Sequence, residues 1–122
     1  MDRYQNNVKE YKKKRKPVIY IAGKITGDYN YKDKFKKAEI YLRELGFSVF
    51  NPASFPFGLE YSSYLKICKS IIEEVDYIYV LKDFKDSEGA KIEIKHAERK
   101  NKKIIYQEAE DREFIESIVR IQ

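Results

Sequence analysis

The segment that most restricts the fold is Val18-Ile19-Tyr20-Ile21-Ala22, a run apolar at every position that follows Pro17 and stops at Gly23. A strand with one wet face alternates apolar and polar residues. A run apolar on both faces belongs between two covering layers, the environment of a parallel sheet with helices on either side. The rest of the chain repeats this unit. Beyond the loop Gly23-Lys24-Ile25-Thr26-Gly27, the residues Phe35, Ala38, Leu42 and Leu45 recur at helical spacing until Gly46 supplies a stop. Phe47 to Phe50 predicts a second strand, and Asn51 and Pro52 open a loop through Pro56 and Gly58. A helix from about Ser62 to Glu74 carries Tyr64, Leu65, Cys68, Ile71, Ile72 and Val75 as its apolar stripe. Tyr77 to Leu81 reads as the third strand and Asp83 to Asp86 as a polar turn. Ser87 reads as the N-cap of a helix with Ala90, Ile94 and Ala97 turned inward. Lys103 to Tyr106 predicts a fourth strand, and about Asp111 to Val119 a last helix.

Strands alternating with helices imply right-handed βαβ crossovers. The predicted class is therefore α/β, a three-layer open parallel sheet of flavodoxin or Rossmann type, with strand order 2-1-3-4 and helices on both faces. Such sheets bind ligands beyond the carboxyl ends of their strands where the order reverses, here between strands 1 and 3. That crevice is bounded by the loops after Ala22 and Phe50 and the turn after Leu81.

At 122 residues, 43% of them hydrophobic, the chain suits a single core. We divide it into a basic N-terminal arm, 1–16, and one domain, 17–122. No window approaches 18 consecutive apolar residues and residues 1–17 do not read as a signal peptide, so the expectation is a cytoplasmic protein without a membrane span. Cys68 and His96 are single residues of their kinds, which excludes an internal disulfide and a Cys/His zinc site. No metal and no cofactor is expected. The net charge of +5 is uneven: residues 1–37 hold twelve Lys/Arg against four Asp/Glu, and the remainder thirteen against sixteen. The run Lys12-Lys13-Lys14-Arg15-Lys16 can contact phosphates, but without periodic apolar residues it reads first as a solvated arm, and a nucleic-acid partner is not expected.

Glu93 breaks the pattern of the third helix. Positions 90, 93, 94 and 97 share a face, and all but 93 are small or apolar. A carboxylate there, near a helix's positive end, is expected to favour its anionic form. It can serve as nucleophile or general base on a sugar carbon whose transition state welcomes negative charge, or be a boundary glutamate paired with lysine. The loop Gly23-Lys24-Ile25-Thr26-Gly27 matches neither the dinucleotide nor the P-loop fingerprint. It can hold an anion or sugar through backbone, hydroxyl and ammonium groups, or be an ordinary βα turn. Asn51 and Pro52 read as turn formers as readily as ligands. His96 follows Glu93 by one turn with no Ser or Cys set against it, and so reads as a surface residue. The eleven tyrosines and seven phenylalanines fall mostly at core positions, favouring packing over base stacking.

Ile19-Tyr20-Ile21-Ala22-Gly23 with Thr26-Gly27, Asn51-Pro52, Asp76, and Ser87-x-Gly89-Ala90-x-x-Glu93-x-x-x-Ala97 form a set. By this set, residues 18–106 resemble the nucleoside 2-deoxyribosyltransferase-like superfamily. That superfamily includes deoxyribosyltransferases, deoxynucleoside-monophosphate N-glycosidases and many small uncharacterised proteins. The resemblance implies cleavage or exchange of a nucleoside or nucleotide N-glycosidic bond. Glu93 would attack C1′, and Gly23, Lys24, Ile25, Thr26, Gly27, Asn51, Ser87 and Gly89 would contact substrate. It also implies a homo-oligomer, dimer or higher, whose neighbours complete the site. One position departs: where the superfamily has an aspartate eight residues before Asp76, this chain has Cys68, a thiol that reads as packing with an ordinary pKa. Either Asp83 or Asp86 then substitutes, or the chemistry is weakened, or the domain is a catalytically silent nucleotide-binding module.

Overall fold

The computed structural model describes residues 16–109. The expected last helix at 111–119 and all of the basic arm except Lys16 lie outside the described residues. Within them the order is β1 (Val18–Ala22), α1 (Tyr31–Glu44), β2 (Ser48–Phe50), α2 (Tyr61–Glu74), β3 (Tyr77–Val80), α3 (Glu88–Arg99) and β4 (Lys103–Tyr106). Short 3₁₀ turns at Pro52–Ser54, Phe84–Asp86 and Gln107–Ala109 complete it. All strand pairs are parallel and the sheet order is β2-β1-β3-β4, the order expected from the alternation.

Both faces of the central strands are covered, which is why their sequences are apolar throughout. Ile19, Ile21, Tyr77, Tyr79, Leu81 and Ile105 face α1, where they meet Phe35, Ala38 and Leu42. The alternate residues Tyr20, Ala22, Ile78 and Val80 face α2 and α3, against Cys68, Ile72, Ile94 and Ala97. Phe35, Leu42, Ile72 and Ile78 have no exposed surface, and each such side chain contributes about 1.5–3 kcal/mol through the water it no longer contacts.

Two helices end in the same device. After α1, the Gly46 N–H reaches the Arg43 carbonyl (3.0 Å) and the Phe47 N–H the Leu42 carbonyl (3.1 Å). Gly46 takes φ 105°, a left-handed value a side chain would resist. Phe47 is thus consumed in the helix stop, and β2 starts at Ser48, one residue later than its apolar pattern suggests. After α3 the equivalent position is Asn101 at φ 56°, with the Lys102 N–H on the Ala97 carbonyl (3.0 Å). These stops turn α1 and α3 back toward the sheet, α2 passes through extended Val75 instead, and in a parallel sheet all three α-to-β loops lie at the opposite end from the crevice.

Candidate active site

At the carboxyl ends of β1 and β3 lies a cavity of about 720 Å³. Its walls come from the loop after β1, the loop after β2, the first half of α2 and the first half of α3. The helix stripes explain what lies at its base. Glu93 points inward with its apolar neighbours Ala90, Ile94 and Ala97, and is only 8% exposed. Tyr20, on the β1 face that looks toward α2 and α3, is fully buried, and its hydroxyl donates to Glu93 Oε2 at 2.7 Å. Cys68 approaches the same spot from α2 and lines the cavity with Tyr20 and Glu93.

Burial governs the electrostatics of this trio. It raises the Glu93 carboxyl from 4.5 to about 7, while the hydrogen bonds from Tyr20 and Cys68 pull the other way. The anionic form expected from the helix's positive end is therefore not the sole state at neutrality. Glu93 is the sixth residue of α3, beyond the first turn where that field acts, and desolvation outweighs it. Cys68 also departs from the ordinary pKa expected: burial, then the Glu93 charge, pushes its thiol up to about 12. The Tyr20 phenol is likewise held well above its usual range, first by burial and then by Glu93.

Ser87 caps α3 as expected, its hydroxyl oxygen accepting the Ala90 N–H at 3.1 Å, and it lines the cavity with Gly89, Gly23, Ile25 and Thr26. A side chain at Gly89 would stand 3.0 Å from the Tyr61 hydroxyl, so this glycine lets Tyr61 lie over the first turn of α3. At Gly23 a Cβ would sit 2.7 Å from Leu81 Cδ1, so its bareness serves strand packing.

Lys24, Gly27 and Asn51 stand outside the lining. Lys24 contributes its backbone, with its N–H on Asp83 Oδ1 (3.1 Å) and its carbonyl on Lys34 Nζ (2.9 Å). Gly27 turns the loop at φ 81°. Asn51 is buried; its Oδ1 accepts the Ala53 N–H (2.9 Å) and its amide donates to Glu39 (2.9 Å), which fixes the loop that carries the far wall.

Asp83 is tied to Lys34 and the Lys24 N–H and does not line the cavity, whereas Asp86 does. His96 pairs with Glu73 at 2.9 Å, away from the cavity.

The far wall is aromatic. Tyr31, Phe55, Phe57, Tyr61 and Tyr64 line it, with Phe57 81% and Tyr61 54% exposed, although composition alone favoured core packing for such residues. The Tyr64 hydroxyl holds the wall together by donating to the Pro56 carbonyl. The signal that could have found Tyr20 is a hydroxyl on a strand buried on both faces, which requires a polar partner. Among the described residues no group of three ligating side chains is placed to hold a metal ion, and no helix is long and apolar enough to cross a membrane.

Residues 17–106 match the family described as Domain of unknown function (DUF4406), and the chain belongs to that family. Among solved structures it is similar to the Clostridium botulinum CMP N-glycosidase BcmB, with 25% identity and TM-score 0.56 over 73% of this chain and 69% of that one. It is also similar to a 2-deoxyribosyltransferase from Leishmania mexicana, with 15% identity and TM-score 0.60 over 74% of this chain and 63% of the other, a likeness of fold. These place the chain in the nucleoside 2-deoxyribosyltransferase-like superfamily. No curated protein matches it.

Proposed function

We propose that this member of the DUF4406 family cleaves or exchanges the N-glycosidic bond of a nucleoside or nucleotide, with Glu93 as nucleophile. The observation that carries the reading is a carboxyl, 8% exposed and held by the Tyr20 hydroxyl at 2.7 Å, facing a cavity of about 720 Å³ with an aromatic wall. A carboxyl whose ionisation is disfavoured by burial and which faces a cleft with a few convergent polar groups is the arrangement that acid, base and nucleophile chemistry uses. The similarity to a CMP N-glycosidase supports the same class of reaction.

One oxygen of ionised Glu93 attacks C1′ as the C1′–N bond breaks, and the bonding pair leaves with the base, which takes a proton from water. The Tyr20 hydroxyl restrains the carboxylate, so that little rotational freedom is lost on the way to the transition state. Water, or a second base, then attacks C1′ and releases the Glu93 carboxylate. Ser87 and Gly89, at the start of α3, present a hydroxyl and backbone N–H groups to the sugar end. Tyr61, Phe55 and Phe57 offer stacking surfaces to the base.

The test is chromatography of nucleosides and their 5′-monophosphates, both ribo and 2′-deoxy, incubated with wild type and with Glu93→Ala. Free base is expected from the wild type alone. Equal release by Glu93→Ala, or none by either protein, refutes the reading. A second reading is favoured by Cys68, whose thiol cannot supply a second negative charge: a catalytically silent nucleotide-binding module. Saturable binding of a nucleotide recovered intact selects it.

A further inference from the structure

Two loops frame one end of the cavity, one after β1 and one after β3, on either side of the point where strand order reverses. At their base they touch through Gly23 and Leu81, and the Leu81 N–H reaches the Ala22 carbonyl at 2.8 Å. Above that contact the link is ionic. Lys34, in the first turn of α1, directs its ammonium to the Lys24 carbonyl (2.9 Å), to Asp28 Oδ2 (2.6 Å) and to the Asp83 carboxylate. Three donors meet three acceptors, the full capacity of an ammonium group. The second Asp83 oxygen accepts the Lys24 N–H at 3.1 Å, so both loops are bound to each other as well as to α1.

We propose that Lys34 is a positioning residue for the cavity, setting the gap between Ile25 and Thr26 on one loop and Asp86 and Ser87 on the other. The proposal rests on the reading of this cavity as a nucleoside or nucleotide site. Ile25 and Thr26 lie between Lys24 and Asp28, both held by the same ammonium. Asp83 anchors the opposing turn: its carbonyl accepts the Asp86 N–H at 3.1 Å, and the next carbonyl, of Phe84, accepts the Ser87 N–H at 3.1 Å. Lys34 itself does not line the cavity, so its effect on a ligand passes through these loops. Without the Lys34 cation, Asp28 and Asp83 become like charges on facing loops, with only the Lys24 backbone N–H on Asp83 and the more distant Lys24 ammonium near Asp28 to offset them, and the gap widens. The side chains are about a quarter exposed, so water screens the attraction and the fold does not depend on it. Geometry, rather than stability, is what the cluster controls.

Three variants of the full chain test this: Lys34→Met, Lys34→Arg, and Lys34→Met combined with Asp83→Asn, which removes one of the two repelling charges. Cytidine 5′-monophosphate is the probe, with steady-state kinetics, equilibrium binding and amide hydrogen exchange as readouts. Lys34→Met is expected to raise KM or Kd about tenfold with kcat changed less than about twofold. Exchange should quicken at 24–28 and 83–88 while α2 and β3 are unaltered. Lys34→Arg should stay near wild type, and the double variant should recover most of the affinity and protection. Unchanged exchange in both loops of Lys34→Met, or a double variant no better than the single one, overturns the proposal. If wild type neither binds nor cleaves this nucleotide, the functional reading fails for that ligand alone, and the exchange and its rescue decide the role of Lys34.

Discussion

Replacing Glu93 by glutamine isolates the cost of keeping a carboxyl where the cavity holds one. Glutamine preserves the shape of the side chain and an oxygen to accept the Tyr20 hydroxyl, but it cannot ionise. Burial raises the carboxyl from 4.5 to about 7 in the folded protein. Over that interval the folded state retains a proton that the unfolded chain has released. The stability contributed by this group is therefore complete below pH 4.5 and declines as pH rises to about 7. At about 1.4 kcal/mol per pH unit, the interval from 4.5 to about 7 amounts to about 3 kcal/mol. A domain of this size moves about 4 °C in Tm per kcal/mol, so wild type is expected to lose on the order of 10 °C relative to Glu93→Gln between about pH 5 and pH 8. Thermal and urea melts of the two proteins across that range measure it. The glutamine variant should be the more stable at pH 8, with the gap closing toward pH 5. Parallel curves at all pH values would show that Glu93 is already ionised at the lower end, and would remove the argument from desolvation. The same variant should release no base at any pH, which separates the stability term from the chemistry.

Tyr20→Phe deletes a hydrogen bond that favours the Glu93 anion, so the midpoint of a rising pH–rate profile should move above 7 and turnover at neutrality should fall about tenfold, read from initial rates in a buffer series. Gly23→Ala forces a Cβ to within 2.7 Å of Leu81 Cδ1; urea denaturation should show a loss of about 1–3 kcal/mol, and a variant as stable as wild type would mean the two strands are not packed as closely as described. Cys68→Asp places a second carboxyl beside Glu93, so the pair should ionise in two separated steps and stability should fall more steeply above pH 7 than in wild type; potentiometric titration against Cys68→Ala resolves the extra proton.

The sheet was legible because parallel strands buried on both faces cannot alternate, and Val18 to Ala22 and Tyr77 to Leu81 are apolar at nearly every position. Strand order followed from handed crossovers, a constraint of geometry rather than of particular residues. Two strand edges fell one residue from expectation: β3 ends at Val80 rather than Leu81, and β2 starts after Phe47. The apolarity of Phe47 is real and it is 1% exposed, but it packs as the hydrophobic partner of the Gly46 helix stop. Hydrophobic periodicity does not distinguish a residue that closes a helix cap from one that opens a strand.

Glu93 was legible for the opposite reason, since a carboxyl on an apolar stripe violates the pattern. Its charge state was not, because that depends on how much water the fold excludes, and only packing decides this. Tyr20 was half legible: its hydroxyl, on a strand buried on both faces, demands a polar partner, but nothing local in Val18 to Ala22 points to Glu93, 73 positions later, as that partner. Lys24 shows the limit for loops, where spacing selects a segment but not which of its atoms face the ligand, and here the lysine serves through its backbone. Cys68 joins these lines. A second carboxyl at this place would add a like charge to a group already disfavoured by burial. A thiol pushed up to about 12 stays neutral and can donate a hydrogen bond. A thiol there adds no negative charge beside Glu93, which keeps the Tyr20 hydroxyl as its donor, while the other carboxyls on the lining, Asp86 and Glu88, come from the turn and helix start at the mouth of α3.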